Sequence, residues 1–504
     1  MRRARNRANT RAVMVSPLQT DEPRAPWRAP LAIAVVVGGL VVWRAIVGSD
    51  EPPAPPAPAS SASTEPAARA EAPPRCEEVS ADPFVIGDPP AAPKPAEAAS
   101  SSSGLPGDPA EEIDDPTAPF AVEVGRGAVF GGGFAVGARR DEKTGAVAMV
   151  ATLGLDGKNG KLVRLGRLRG DLDPPVIAGA GNAVITVMVE PNAGNPALGG
   201  GRALKVAKVE GDQVTWGPEL PEGRDESQAI DVAASAQRAI VVWDDLVGTT
   251  EKRSAVMMAT IDVATMKVVS PARAVSASST DAERPRLVAR PGGYWLAYAV
   301  RGAPDTKKKH DAKKAKQDDE EDRELGEAIT TSWIELMPLD ETGAPTASGR
   351  AVTSKTGHVL GYDLELGDDG GALVAWRDDD TPTGSAGGRL LATLVRLGGV
   401  GEARVLAEET ASAGMPDLLP GWISLASVSG ATRIAALSPR GELIDDLAPE
   451  KSLGAGVPVA ATKDAILWAR PMGKPMRLSV VRCKQRPVEA SDAGGSDSGA
   501  GDGG

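Results

Sequence analysis

Few residues in this 504-residue chain are of a type that does chemistry. There are two histidines, His310 and His358, and two cysteines, Cys76 and Cys483. Nucleophilic catalysis needs a base positioned beside its nucleophile. His310 stands in DTKKKHDAKKAKQDDEEDRE at 305–324, a run with nothing to bury, and His358 stands in a loop before an apolar stretch. No G-x-S-x-G elbow accompanies either, and H-E-x-x-H, G-x-x-x-x-G-K-[ST] and EF-hand loops are absent. GLDGKNG at 154–160 carries Lys158, but its spacing suits a turn rather than a phosphate cradle. The cysteines lack CxxC or zinc-ligand spacing. The expectation is a non-catalytic chain with no metal and no cofactor.

A second pattern is acidic. Glu190, Asp245 and Asp378 each stand two residues past a repeated position occupied by Met188, Trp243 and Trp376, and Asp244, Asp379 and Asp380 thicken the cluster. Such acids either cap a turn or form a rim that draws a cation or a basic partner. The tryptophans divide similarly. Trp243, Trp376 and Trp468 share the repeated position and are expected to pack, whereas Trp216, Trp333 and Trp422 fall outside it and would be the platforms if a sugar were bound.

The elements that must position these residues are short strands. GALVAWRDDD at 371–380 has echoes in RAIVVWDDL (238–246), NAVITVMVE (182–190), GGYWLAYAVR (292–301) and DAILWAR (464–470). Each is an apolar run opened by Gly or a polar residue and closed by charge, which reads as a buried strand. Other strands flank it. PPVIAGAG (174–181) opens one unit, VMMATIDVA (256–264) follows the aromatic strand in another, and KLVRLGRL (161–168) completes a third. Four strands recurring about every 50 residues predict an all-β propeller. Units 118–170, 171–223, 224–278, 279–354, 355–410, 411–454 and 455–484 make seven four-stranded blades, with six possible because the first and sixth fit least well. The charged run 305–324 is an insertion between the second and third strands of the fourth unit.

Upstream, residues 1–28 carry seven Arg against Asp21 and Glu22. Residues 29–48 are apolar apart from Arg44 and long enough, at about 1.5 Å per helical residue, to cross a membrane. Trp27 and Trp43 suit its interfaces, and the basic flank keeps 1–28 cytoplasmic. A cleaved signal peptide is the alternative, with Val47-Gly48-Ser49 as its site. Residues 49–117 are Pro-, Ala- and Ser-rich and read as an extended spacer, and 485–504 as a disordered tail. The net charge of −12 argues against a nucleic-acid partner.

Cys483 ends a third-strand candidate, MRLSVVRC at 476–483, with no fourth strand after it. A propeller must close its ring, and residues 77–87, with Phe84-Val85-Ile86, can supply the missing strand. A Cys76–Cys483 disulfide is therefore expected in an oxidising compartment, two free thiols being the alternative.

Val374-Ala375-Trp376-Arg377-Asp378, with Leu155-Asp156-Gly157 and Ile261-Asp262, resembles the V-A-W-x-D closing and L-D-x-x-G turn of β-propeller repeats in bacterial secreted and envelope proteins. The chain does not resemble WD repeats, since Trp243-Asp244 lacks a paired Gly-His, nor kelch repeats, since Gly292-Gly293-Tyr294 does not recur. The resemblance implies a rigid binding disc and no particular reaction. The whole reads as an inner-membrane-anchored, periplasmic binding or scaffolding module whose partner is an envelope protein or basic ligand at Glu190, Asp245 and Asp378. The rivals are a propeller hydrolase of envelope glycans or esters, and a sugar or cation receptor.

Overall fold

The computed structural model describes residues 76–79, 83–87 and 121–484, except 143–144, 169–172, 192–201, 222–228, 249–252, 303–330, 382–387, 409–414, 426–431 and 451. The apolar segment 29–48, the spacer apart from the two short strands, the insertion 305–324 and the tail 485–504 lie outside these residues. Among the described residues no helix is long and apolar enough to cross a membrane.

Seven antiparallel sheets follow one another along the chain. Each is a meander whose first strand is innermost. These first strands are Val122–Phe130, Val176–Ala180, Ile230–Ala234, Asp281–Arg290, Val359–Leu366, Pro416–Leu419 and Val457–Ala461. Successive first strands pack against one another from blade one to blade six, Leu419 and Ala461 share one apolar cluster between blades six and seven, and the first strand of blade seven packs against that of blade one, so the sheets form a seven-bladed propeller around a central channel. Six blades are thereby excluded. The sixth sheet is weak in sequence because its strands are short, four residues or fewer.

Hydrophobic burial holds the blades to one another. The described residues form seven apolar clusters, and each spans one of the seven blade interfaces. The repeated position supplies a large side chain to five of them: Met188, Trp243, Tyr298, Trp376 and Trp468 are all buried. Alternation explains this, because in a strand every second residue faces the same neighbouring sheet. Where inner strands converge, only small residues fit. A Cβ at Gly179 would lie 2.0 Å from the carbonyl oxygen of Val129, and one at Gly137 would lie 1.8 Å from that of Pro175.

The ring closes with the N-terminal segment. Blade seven has three strands from the C-terminal end, and its outer edge is Cys76–Glu78, antiparallel to Met476–Cys483 with Cys76 opposite Cys483. Phe84–Ile86 pairs with the other end of the same strand. Cys76 and Cys483 are disulfide-bonded, as the unpaired last strand led us to expect. Ile86 is fully buried in the cluster between blades seven and one, and Cys76 in that between six and seven.

Candidate functional site

The inner strands of all seven blades line one cavity of about 280 Å³ in the channel. Ala128, Ile177, Ala233, Leu287, Leu366, Leu419 and Ala460 contribute one wall residue per blade, and among the described residues Arg126 and Glu365 are the charged ones in that wall.

Beside this cavity runs a layer of charge. In blades two to five the second-strand residue just before Met188, Trp243, Tyr298 and Trp376 pairs with Val176, Asp231, Arg286 and Asp363 of the inner strand. Asp417 of blade six and Arg126 of blade one join the same layer electrostatically. Arg126 spans the bore. Its Nη1 donates to Asp363 Oδ1 of blade five at 2.5 Å, and its Nη2 donates to the Leu418 carbonyl of blade six at 2.7 Å. Glu365 Oε2 lies 3.6 Å from Nη2, and Arg286 Nε lies 3.6 Å from Asp363 Oδ1.

Two of the acids clasp the next blade. Asp231 Oδ2 accepts from the Leu287 amide of blade four at 2.7 Å, and Asp363 Oδ2 accepts from the Leu418 amide of blade six at 2.7 Å. Leu287 and Leu418 follow Arg286 and Asp417, so one interaction recurs at two interfaces. An irregularity between Glu283 and Arg286 permits the approach in blade four. There Arg284 adopts a left-handed φ of 52°, its amide donates to Asp244 Oδ2 at 2.9 Å, and its carbonyl accepts from the Tyr362 hydroxyl.

The layer's electrostatics follow from burial. Burial works against the Arg126 and Arg286 charges, but the surrounding acids, Asp363 foremost, outweigh it and hold both guanidiniums above their ordinary range. Burial raises the Asp231 and Glu365 carboxyls, with the arginines opposing. Asp417 is pushed up to about 6, by burial first and by the Asp363 charge second. Its residue is exposed, and among the described residues its carboxylate accepts no hydrogen bond.

The residues singled out in the sequence fall elsewhere. Asp245 is buried, 6% exposed. Asp378 is half-buried with Arg389 at 3.2 Å. The side chain of Glu190 lies outside the described part. Asp244 is also buried and ties blade three to blade four through Arg284 and, at 2.7 Å, the Ala229 amide. Asp379 is buried with Arg377 at 2.6 Å. The acids of blades three and five therefore act largely inside the fold, and Asp378 is the one of the three seen to reach solvent. His358 Nδ1 lies 3.3 Å from the Asp379 carbonyl, and His310 is outside the described residues. Trp216 is exposed, with Lys205 Nζ 5.6 Å from its ring centroid; Trp333 has Lys355 at 5.5 Å; Trp422 is buried.

The channel residues leave only a faint mark in the sequence. Asp231 and Arg286 are separated by the same interval as Trp243 and Tyr298, which was the available signal. It is masked because the recurring position carries either sign of charge, so no residue type repeats.

No protein-family model and no curated protein sequence matches this chain. Solved structures do resemble it. The β-propeller domain of the trilobed protease from Pyrococcus furiosus is 8% identical, with 73% of this chain and 98% of that one covered at a TM-score of 0.42. The polysaccharide lyase Uly1 is 9% identical over 72% of this chain and 90% of that one, with a TM-score of 0.46. An acylaminoacyl peptidase from Pyrococcus horikoshii is 8% identical over 72% of this chain, with a TM-score of 0.42, and this chain spans about half of its length, 52%. At such identities the likeness concerns the propeller fold alone.

Proposed function

We propose that the chain is a membrane-anchored, extracytoplasmic propeller that acts as a binding or scaffolding module and takes its ligand in the central channel. The observation that carries this reading is the cavity itself, to which every blade gives its innermost strand. Pockets of this kind, apolar with a few convergent polar groups, are the usual form of a small-molecule site. Arg126, Asp231 and Asp363 beside it are tied to one another or to backbone amides, which holds that part of the channel in place. The Cys76–Cys483 bond favours an oxidising compartment, and the basic segment before residues 29–48 favours anchoring with the disc outside. A basic envelope partner could still meet the rim at Asp378.

The rival is a hydrolase of envelope glycans or esters. Incubating the full chain in detergent with chromogenic esters and with envelope glycan fragments separates the two. We expect no turnover above buffer. Turnover that disappears in Glu365→Gln or Asp417→Asn would overturn the binding reading in favour of a channel catalyst.

A further inference from the structure

We infer that the channel receives an organic monocation, with an ammonium or guanidinium head against Glu365 and a short apolar body in the cavity. This rests on the channel being the binding site and adds the chemistry of what enters it.

Unequal charge and unequal hydrogen bonding in the channel set the sign of what it receives. Among the described residues the layer holds four acids, Asp231, Asp363, Glu365 and Asp417, against two arginines, Arg126 and Arg286. Two of the acids are already satisfied. Asp231 accepts the Val232 and Leu287 amides at 2.9 and 2.7 Å. Asp363 accepts the Arg126 guanidinium and the Leu418 amide. Arg126 is itself committed to Asp363 and the Leu418 carbonyl, so its reach to Glu365, 3.6 Å, is longer than a hydrogen bond. Glu365 Oε1 accepts the Leu366 amide at 2.8 Å, which leaves Oε2 as an acceptor in the cavity wall. Asp417 adds a second carboxylate without a hydrogen bond among the described residues.

Glu365, partly exposed and held by Arg126 only at 3.6 Å, is incompletely compensated, and a cation that arrives with its own donors completes its hydrogen bonding. An anionic ligand would instead have to displace Asp363 from Arg126. The rest of the wall fixes the other half of the ligand. Ala128, Ala233, Ala289 and Ala460 leave room, and Val232 and Leu287 offer only apolar surface. Among the described residues no aromatic ring lines the cavity, so a quaternary ammonium gains no cage from them. A head that donates hydrogen bonds fits better.

The test is thermal shift and titration calorimetry on the full chain at pH 8, with n-butylammonium, n-butylguanidinium, butyrate, 1-butanol and glucose as probes. Saturable binding of the two cations alone is the expected result. Glu365→Gln should weaken it about tenfold, the loss of one charge-assisted hydrogen bond. Ala234→Leu, which fills the cavity from blade three, should abolish it even if Glu365→Gln does not fold. Asp212→Asn, at an exposed acid paired with Lys161 away from the channel, should leave it unchanged. Butyrate, butanol or glucose binding that Ala234→Leu abolishes would overturn the cation and keep the channel. Cation binding indifferent to Ala234→Leu, or no binding of any probe, would overturn the site itself.

Discussion

Asp417 illustrates how much a single residue's surroundings decide here. Its neighbours on the strand, Pro416 and Leu418, are buried, while Asp417 faces the channel. Its carboxyl titrates near 6 in the folded protein and near 3.9 when unfolded. The folded state therefore binds the extra proton between these values. Folding is penalised by Asp417 above about pH 6, and the penalty fades as the pH falls towards 4. Because water reaches the group, the penalty is about 1 kcal/mol and not the full Coulombic value. We expect Asp417→Asn to be more stable than wild type by that amount at pH 8 and equal to it near pH 4, read by urea denaturation. A variant less stable at pH 8 would mean that the carboxylate has a partner it contributes to folding. No sequence pattern could have announced this. Asp417 stands in a four-residue strand, and the acid and the arginines that set its titration come from blades one, four and five. Asp244 carries the same lesson with the opposite outcome. It reads as one of a row of surface acids, and only the approach of Arg284 from the next blade turns it into an internal clasp.

The elements were far more legible than the site. A large side chain recurring at one strand position marks the blades, because each such side chain must fill the gap to its neighbour, and alternation makes that need visible in one dimension. The closing strand was legible for a related reason: Met476–Cys483 has an edge that nothing after it can cover, and exposed strand edges are managed in folded proteins. The bulges that place Arg126 and Arg286 were not legible, since they arise where inner strands converge from separate blades. The N-terminal closure yields its own test. Ile86 is fully buried between blades seven and one, so Ile86→Ala should lose about 2–4 kcal/mol. Chemical denaturation with the disulfide intact would measure it. A loss under about 1 kcal/mol would mean that Phe84–Ile86 contributes little to the ring. The disulfide adds about 6 kcal/mol in the chain-entropy account, since it joins residues 407 apart.

The molecule as a whole is acidic, yet its first 28 residues are strongly basic, the charge pattern expected of a cytoplasmic flank before a membrane segment. A reporter enzyme that is active only outside the cytoplasm, fused at Ser60, should be active in cells; an inactive fusion at that point, with a normal level of protein, would reverse the topology. If the disc does hang from residues 29–48, what happens when it is pulled follows from one bond. Cys76 is the first residue of the ring and Cys483 its last paired one, and their sulfurs are joined. Tension applied between the chain upstream of Cys76 and the chain downstream of Cys483 passes through that covalent link and bypasses all seven blades. A load that would unzip blade seven strand by strand in the reduced protein therefore meets, in the oxidised one, a tether shorter than a single side chain's reach, and the channel keeps its shape under strain.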